Sequence, residues 1–226
     1  MIFDPLYLYL VLPALLFSMW AQYKVTSSFK KYSQQRTSTG ITGAQAAYEV
    51  LQKAGVSGVK IERVKGNLTD HFDPRTNIIR LSENVHDTPS VAAVGVAAHE
   101  AGHAVQHASG YAPIKLRSAI IPVTNIGSKL SMPLVILGLI LSIPELINIG
   151  IILFGAVVIF QLITLPVEFN ASNRAVAALD KSGILRGNEL QGSKRVLSAA
   201  ALTYVGALAV SLAQLIRLVL IARRRR

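Results

Sequence analysis

The sequence predicts a mainly α-helical membrane protein, with three or four apolar helices and a small α+β layer on the cytoplasmic side. Three observations carry this reading. Of 226 residues, 51% are hydrophobic and 15% are charged, against about 25% charged in an ordinary soluble domain. Four apolar stretches reach, or nearly reach, the roughly 20 residues that a helical span needs. Between the first and second lies a polar segment, Lys24 to Arg117, whose patterning changes from helical to alternating and back.

The first apolar stretch runs from Leu6 to Gln22, with Trp20 and Tyr23 where an interfacial aromatic belt would lie. Asp4 is the one charge ahead of it, and no small-residue cleavage site follows. It therefore reads as a retained anchor and not as a signal peptide. In the polar segment, Thr42 can cap a helix running to Ala54, and Gly55 ends it. Val59 to Val64 alternates as a half-buried strand would, and Asn77 to Leu81 reads as a second strand after the turn-like Asp73-Pro74-Arg75. Thr88 is placed to cap a further helix, with Pro89 at its first position. That Ala- and Val-rich helix should run to Ala108 and stop at Gly110.

The second apolar stretch, Ile120 to Ile143, contains Pro122, Lys129 and Pro133, and the third, Leu146 to Leu165, contains no charge. Pro144 and Glu145 alone separate them, which predicts a tight transmembrane hairpin. The fourth, Leu197 to Ala222, carries Gln214 and Arg217, and it reads equally well as a span or as an amphipathic or re-entrant helix. The expected organisation is an anchor at 1–23, a cytoplasmic layer at 24–117 and the hairpin at 118–166. A helix at 167–195 and a C-terminal apolar helix with a basic tail at 196–226 complete it.

Charge orients the chain. Lys and Arg outnumber Asp and Glu by 23 to 12, a net charge of +11. Lys24 to Arg117 holds twelve basic residues and Arg174 to Arg195 five, whereas the turn at Glu145 has none. Basic residues accumulate on the cytoplasmic side, so the polar layer should face the cytoplasm of a multi-pass cell-membrane protein and the hairpin should dip outward. Arg223 to Arg226 would then lie outside if the fourth stretch spans. The basic residues are not interleaved with aromatics, so they point to a lipid bilayer rather than to nucleic acid.

The chain has no cysteine. A thiolate nucleophile and disulfides are excluded, and any metal site must be built from His, Asp and Glu. His99 and His103 stand four apart in a predicted helix, so they share a face and can take two corners of a tetrahedral zinc site. Glu100 sits beside the first, where a carboxylate can reach the water that such a zinc ion activates and serve as general base. His-Glu-x-x-His on a helix is the metalloprotease signature. A helix otherwise made of Ala, Val and Gly gives no packing reason for these side chains.

A third ligand is required. His107 is excluded as a ligand to the same ion, because it lies about 12 Å along the helix from His99. It is left to bond a ligand, face substrate or sit at the surface. Glu168, just past the third apolar stretch, can complete a His₂Glu set, with Pro166 opening its helix. A Glu favoured by the helix dipole would occupy the same place, and spacing alone does not separate the two.

The stretches Ala21-Gln22-Tyr23-Lys24-Val25, Gly66 to Pro74, Ser90 to Glu100, Leu165 to Phe169 and Ala199 to Val205 resemble the bacterial membrane neutral zinc metallopeptidase family, the YugP-like proteins. That family is similar in its metal site to the HtpX and CAAX prenyl protease group of zincins. The resemblance implies a zincin-like cytoplasmic layer. It implies one zinc ion per chain on His99, His103 and Glu168, with Glu100 as base and a membrane-associated protein or peptide as substrate. Two positions depart from it. Asn170 stands where the family carries an acidic residue, and Ser172 where related zincins carry Asp four residues after the third ligand. Both can accept a hydrogen bond, but neither brings charge, so weaker zinc retention is implied.

Asp70, His71 and Asp73 could line a substrate groove or orient His99, or form a solvated turn. Arg174 could stabilise an oxyanion, or sit at the surface or a lipid headgroup. The sequence thus points to a membrane-integral zinc endopeptidase. A non-catalytic scaffold or regulator that keeps its zinc site is the competing reading.

Overall fold

The computed structural model describes residues 5–223. Asp4 and Arg224 to Arg226 lie outside the described residues. The fold is mainly helical with a small three-stranded sheet. A π-helical turn, Tyr7–Val11, leads into α1, Leu12–Ser33. There follow α2 (Gly43–Lys53), β1 (Lys60–Val64), β2 (His71–Asp73), β3 (Ile78–Ser82), α3 (Glu83–His86) and α4 (Val91–Ala108). Three long helices complete the chain: α5 (Ala112–Leu141), α6 (Pro144–Lys181) and α7 (Gly187–Arg223).

Among the described residues, four helices are long and apolar enough to cross a membrane: Tyr7–Ser33, α5, α6 and α7. Many of their large side chains are left outside the protein's own packing. Ile140 and Ile152 are 72% and 71% exposed, a cost in water that a hydrocarbon environment removes. Ser142 and Ile143 alone join α5 to α6, with Ser142 at φ 56° and the Ile143 N–H donating to the Gly138 carbonyl. Pro122 and Pro133 lie within α5 without ending it.

The chain divides into two compact units. One comprises residues 5–22, Lys115–Pro166 and residues 202–223. Val135, Leu139, Ile147 and Leu218 form a buried cluster in it. The other comprises Tyr23–Ile114 and Val167–Ala201. Its sheet has the order β1-β3-β2, with β1 parallel and β2 antiparallel to β3. Ile79 and Leu81 of β3 are fully buried in a core shared with α2, α4 and the segment Ala175 to Leu197. Helix α2 begins with the expected Thr42 cap, completed as a capping box by Gln45, and Gly55 follows its end at φ 67°.

Three local expectations are corrected. The cap of α4 is Ser90, whose hydroxyl accepts from the Ala93 N–H, and not Thr88. Pro89 is held outside the helix because its carbonyl accepts from the Thr37 N–H and, two residues on, the Val91 N–H donates to the Gln35 carbonyl. That short extended pairing claims the backbone before the helix can. Pro166 does not open a helix; it lies inside the continuous α6, as proline can in a long apolar helix. The 71–73 segment is the edge strand β2 and not part of a turn. The first helix runs to Ser33, well past the end of its apolar stretch.

Candidate metal centre

Helix α4 is built to be enclosed. Apart from the motif, Gln106 and His107, its residues are small, and Val91, Ala92, Ala93, Val94, Ala97, Ala98, Ala101 and Ala104 are all buried. Small side chains let neighbouring backbones come close. Gly102 is the clearest case, since a Cβ there would stand 2.7 Å from the Ala171 carbonyl oxygen of α6. Glycine at the fourth position of the motif thus lets α6 approach the face that carries the two histidines.

That approach brings three donors together. His99 and His103 of α4 and Glu168 of α6 present ligand atoms that all lie within 4.8 Å of one another. Glu168 Oε2 stands 3.3 Å from His99 Nε2 and 3.5 Å from His103 Nε2. The imidazoles meet edge to face, 4.7 Å between centroids. Two donors at zinc-bond length and tetrahedral angle stand about 3.3–3.4 Å apart, so this donor set fits the metal. Glu168 is 2% exposed. A carboxylate in such a place must be paired or metal-bound to offset its lost hydration.

Each of the two histidines is held from behind by a neutral group. His99 Nδ1 is 3.1 Å from Ser172 Oγ, and His103 Nδ1 is 3.0 Å from Gln106 Oε1. Burial alone would lower the His103 pKa. The carboxylates of Glu168 and Glu100, with the bond to Gln106, outweigh burial and raise it above the ordinary value. Glu100 is buried on α4 next to His99, and its charge acts on His103.

The remaining candidates lie apart from this cluster. His107 is exposed and packs at 5.8 Å between centroids against Phe72 of β2. Asp70 accepts from the N–H and hydroxyl of Ser82, tying the start of β2 to the end of β3. His71 Nδ1 meets the Thr69 carbonyl at 2.7 Å. Asp73 binds Thr76, the Arg75 N–H and Arg80, and the Thr76 hydroxyl leads in holding its carboxyl below the usual range. Arg174 donates to Asn170 at 2.7 Å and lies over the Tyr111 ring. The side chain of Asn170 meets Gln106 rather than His99 or His103. Gln106 escapes a motif search. Its signal in the sequence is a third polar residue three positions after His103, on a face otherwise made of small or apolar residues such as Gly95, Val96 and Gly102.

Three comparisons with known proteins bear on this site. A family model described as "Putative neutral zinc metallopeptidase" matches residues 7–223. The chain is 50% identical over 216 residues to the "Putative membrane protease YugP" of Bacillus subtilis (strain 168), covering 96% of each chain. No solved structure matches it. The chain belongs to the neutral zinc metallopeptidase family that this model describes, and it is a membrane protein of that family.

Proposed function

We propose that this chain is a membrane-integral zinc endopeptidase that hydrolyses peptide bonds close to the cytoplasmic membrane face. One observation carries the reading: His99 and His103 of α4, the helix that also bears Glu100, converge with Glu168 of α6 within 4.8 Å. His99, His103 and Glu168 would hold one zinc ion, leaving a fourth position open. Zinc in such a site supplies Lewis acidity toward the scissile carbonyl and makes water a stronger acid.

The chain's own residues do the rest. The Glu100 carboxylate takes a proton from the attacking water and returns it to the leaving amine nitrogen. Ser172 holds His99 in orientation. The substrate is a membrane-associated protein or peptide, consistent with the "membrane protease" in the relative's printed name. The cytoplasmic orientation rests on the twelve basic residues of the polar segment.

The test pairs zinc content with cleavage. Detergent-purified protein should hold one zinc per chain and cleave an unstructured reporter such as casein. Glu100→Gln removes the base but no ligand. Zinc should stay near one per chain while turnover falls by about 10²–10⁴-fold. Full activity in this variant would remove Glu100 from the mechanism. A second reading, a non-catalytic scaffold that keeps a zinc site, draws on the neutral groups behind both histidines. It gains if wild type holds zinc but cleaves nothing. An external thiol reagent should label Glu145→Cys in intact cells and miss Lys53→Cys; labelling of the latter would invert the orientation.

A further inference from the structure

An imidazole can offer a metal only the nitrogen that carries no hydrogen, so something must decide which nitrogen of His103 that is. Gln106 lies three residues further along α4 and has no exposed surface. Its Nε2 is 2.8 Å from the Val167 carbonyl oxygen and 3.0 Å from Asn170 Oδ1. Its Oε1 is 3.0 Å from His103 Nδ1. An amide can be turned end for end, but these neighbours forbid it. A backbone carbonyl only accepts, so the end of Gln106 facing Val167 is the NH₂. The end facing His103 is then the oxygen, which only accepts, and His103 Nδ1 must carry the hydrogen. The lone pair falls on Nε2, the nitrogen that faces Glu168.

Asn170 is fixed by the same logic. Arg174 Nε lies 2.7 Å from its Oδ1, and a guanidinium only donates. The atom that Asn170 turns toward Gln106 is therefore an oxygen. Two groups that cannot reverse their roles, one carbonyl and one guanidinium, set two amides and through them one imidazole.

We propose that Gln106, held by the Val167 carbonyl and by Asn170, is the positioning residue that fixes His103 with Nε2 toward the metal. The inference rests on His103 being a zinc ligand, as proposed above. It gives Asn170 a role that needs no negative charge, since its task is to accept from Gln106 and from Arg174. A carboxylate behind the histidine is replaced here by an amide that is itself locked.

Gln106 also ties α4 to α6, and the experiment must separate that from positioning. Gln106→Leu removes every bond of the side chain. Gln106→Glu loses the donated bonds to α6 but keeps an acceptor for the His103 Nδ1 hydrogen. Zinc affinity is measured on the full-length protein in detergent, by competition with a chromogenic chelator. Gln106→Leu should bind zinc about 10–100-fold more weakly, and Gln106→Glu within about threefold of wild type. The cobalt(II)-substituted protein adds a second readout, because the N–H protons of ligand imidazoles are shifted clear of the protein envelope in its proton spectrum. Wild type and Gln106→Glu should show two slowly exchanging signals, for His99 and His103, and Gln106→Leu should lose one.

Equal zinc loss in both variants, or undiminished affinity and both signals in Gln106→Leu, overturns the positioning role while leaving the zinc reading intact. Wild type that binds no zinc removes the zinc reading and this inference together, before any variant is compared.

Discussion

Helices α4 and α6 both carry proposed ligands, but they reach the site by opposite routes. α4 is enclosed along most of its length by protein, and its small residues are there because other backbones press against it. α6 starts as a long apolar helix with exposed isoleucines such as Ile152, although Ile147 and Val158 are buried, and past Pro166 it buries Val167, Glu168, Ala171 and Ala175. The two histidines are neighbours by helical period, a local property. Glu168 is their neighbour through a contact 69 residues away in sequence. One helix writes its chemistry in spacing; the other supplies it through packing.

The largest effect should come from removing the packed ligand. Glu168→Ala deletes a donor and leaves the half-buried His99 and the buried His103 facing a void. It should lose more zinc affinity than the about 10–100-fold that a supporting hydrogen bond is worth. His103→Ala should lose as much. If Glu168→Ala keeps zinc while His103→Ala does not, the third ligand is elsewhere and the comparison breaks. Next comes the contact itself. Gly102→Ala places a methyl 2.7 Å from the Ala171 carbonyl, and overpacking of this kind costs about 1–3 kcal/mol. Helix propensity returns at most about 1 kcal/mol. A lowered thermal midpoint together with weaker zinc binding is expected, read by circular dichroism and chelator competition. An unchanged midpoint with unchanged affinity would mean that α6 does not sit this close to α4.

A smaller effect is expected of Ser172→Asp. A carboxylate behind His99 makes that ring a better donor, so zinc should be held more tightly, by less than about tenfold, if the longer side chain fits. A loss of affinity would mean that the space behind His99 is sized for serine.

This contrast explains how far the sequence could be read. The four apolar helices were legible because a span is a matter of local composition and length. So were the Thr42 cap, the ends of α2 and α4, and two of the three strands. β2 was not, because three residues carry no period; it exists because β3 offers an edge and Asp70 anchors it to Ser82. Ser90 displaced Thr88 as a cap because of pairing with Gln35 and Thr37, a long-range event. At the site, His99, Glu100 and His103 followed from one helical turn, while Glu168 stood level with an ordinary dipole-favoured carboxylate until the resemblance was weighed. Gln106 went unread because a glutamine has no period or motif of its own. Its meaning appears only when Val167 and Asn170 are known to face it.

The smallest expected effect sharpens the comparison from the side of α4. His107 continues the four-residue series of His99 and His103, and by spacing alone it looks like a third ligand on the same face. The rise of an α-helix puts it about 12 Å from His99, and in the structure its ring packs on Phe72 at the edge of the sheet. His107→Ala should therefore keep zinc affinity within about twofold of wild type, which chelator competition resolves. Its cost should appear as a small drop in stability, since an aromatic contact at an exposed site is worth about 0.5–1.5 kcal/mol. A loss of zinc comparable to that of Glu168→Ala would mean that α4 is not a continuous helix through His103.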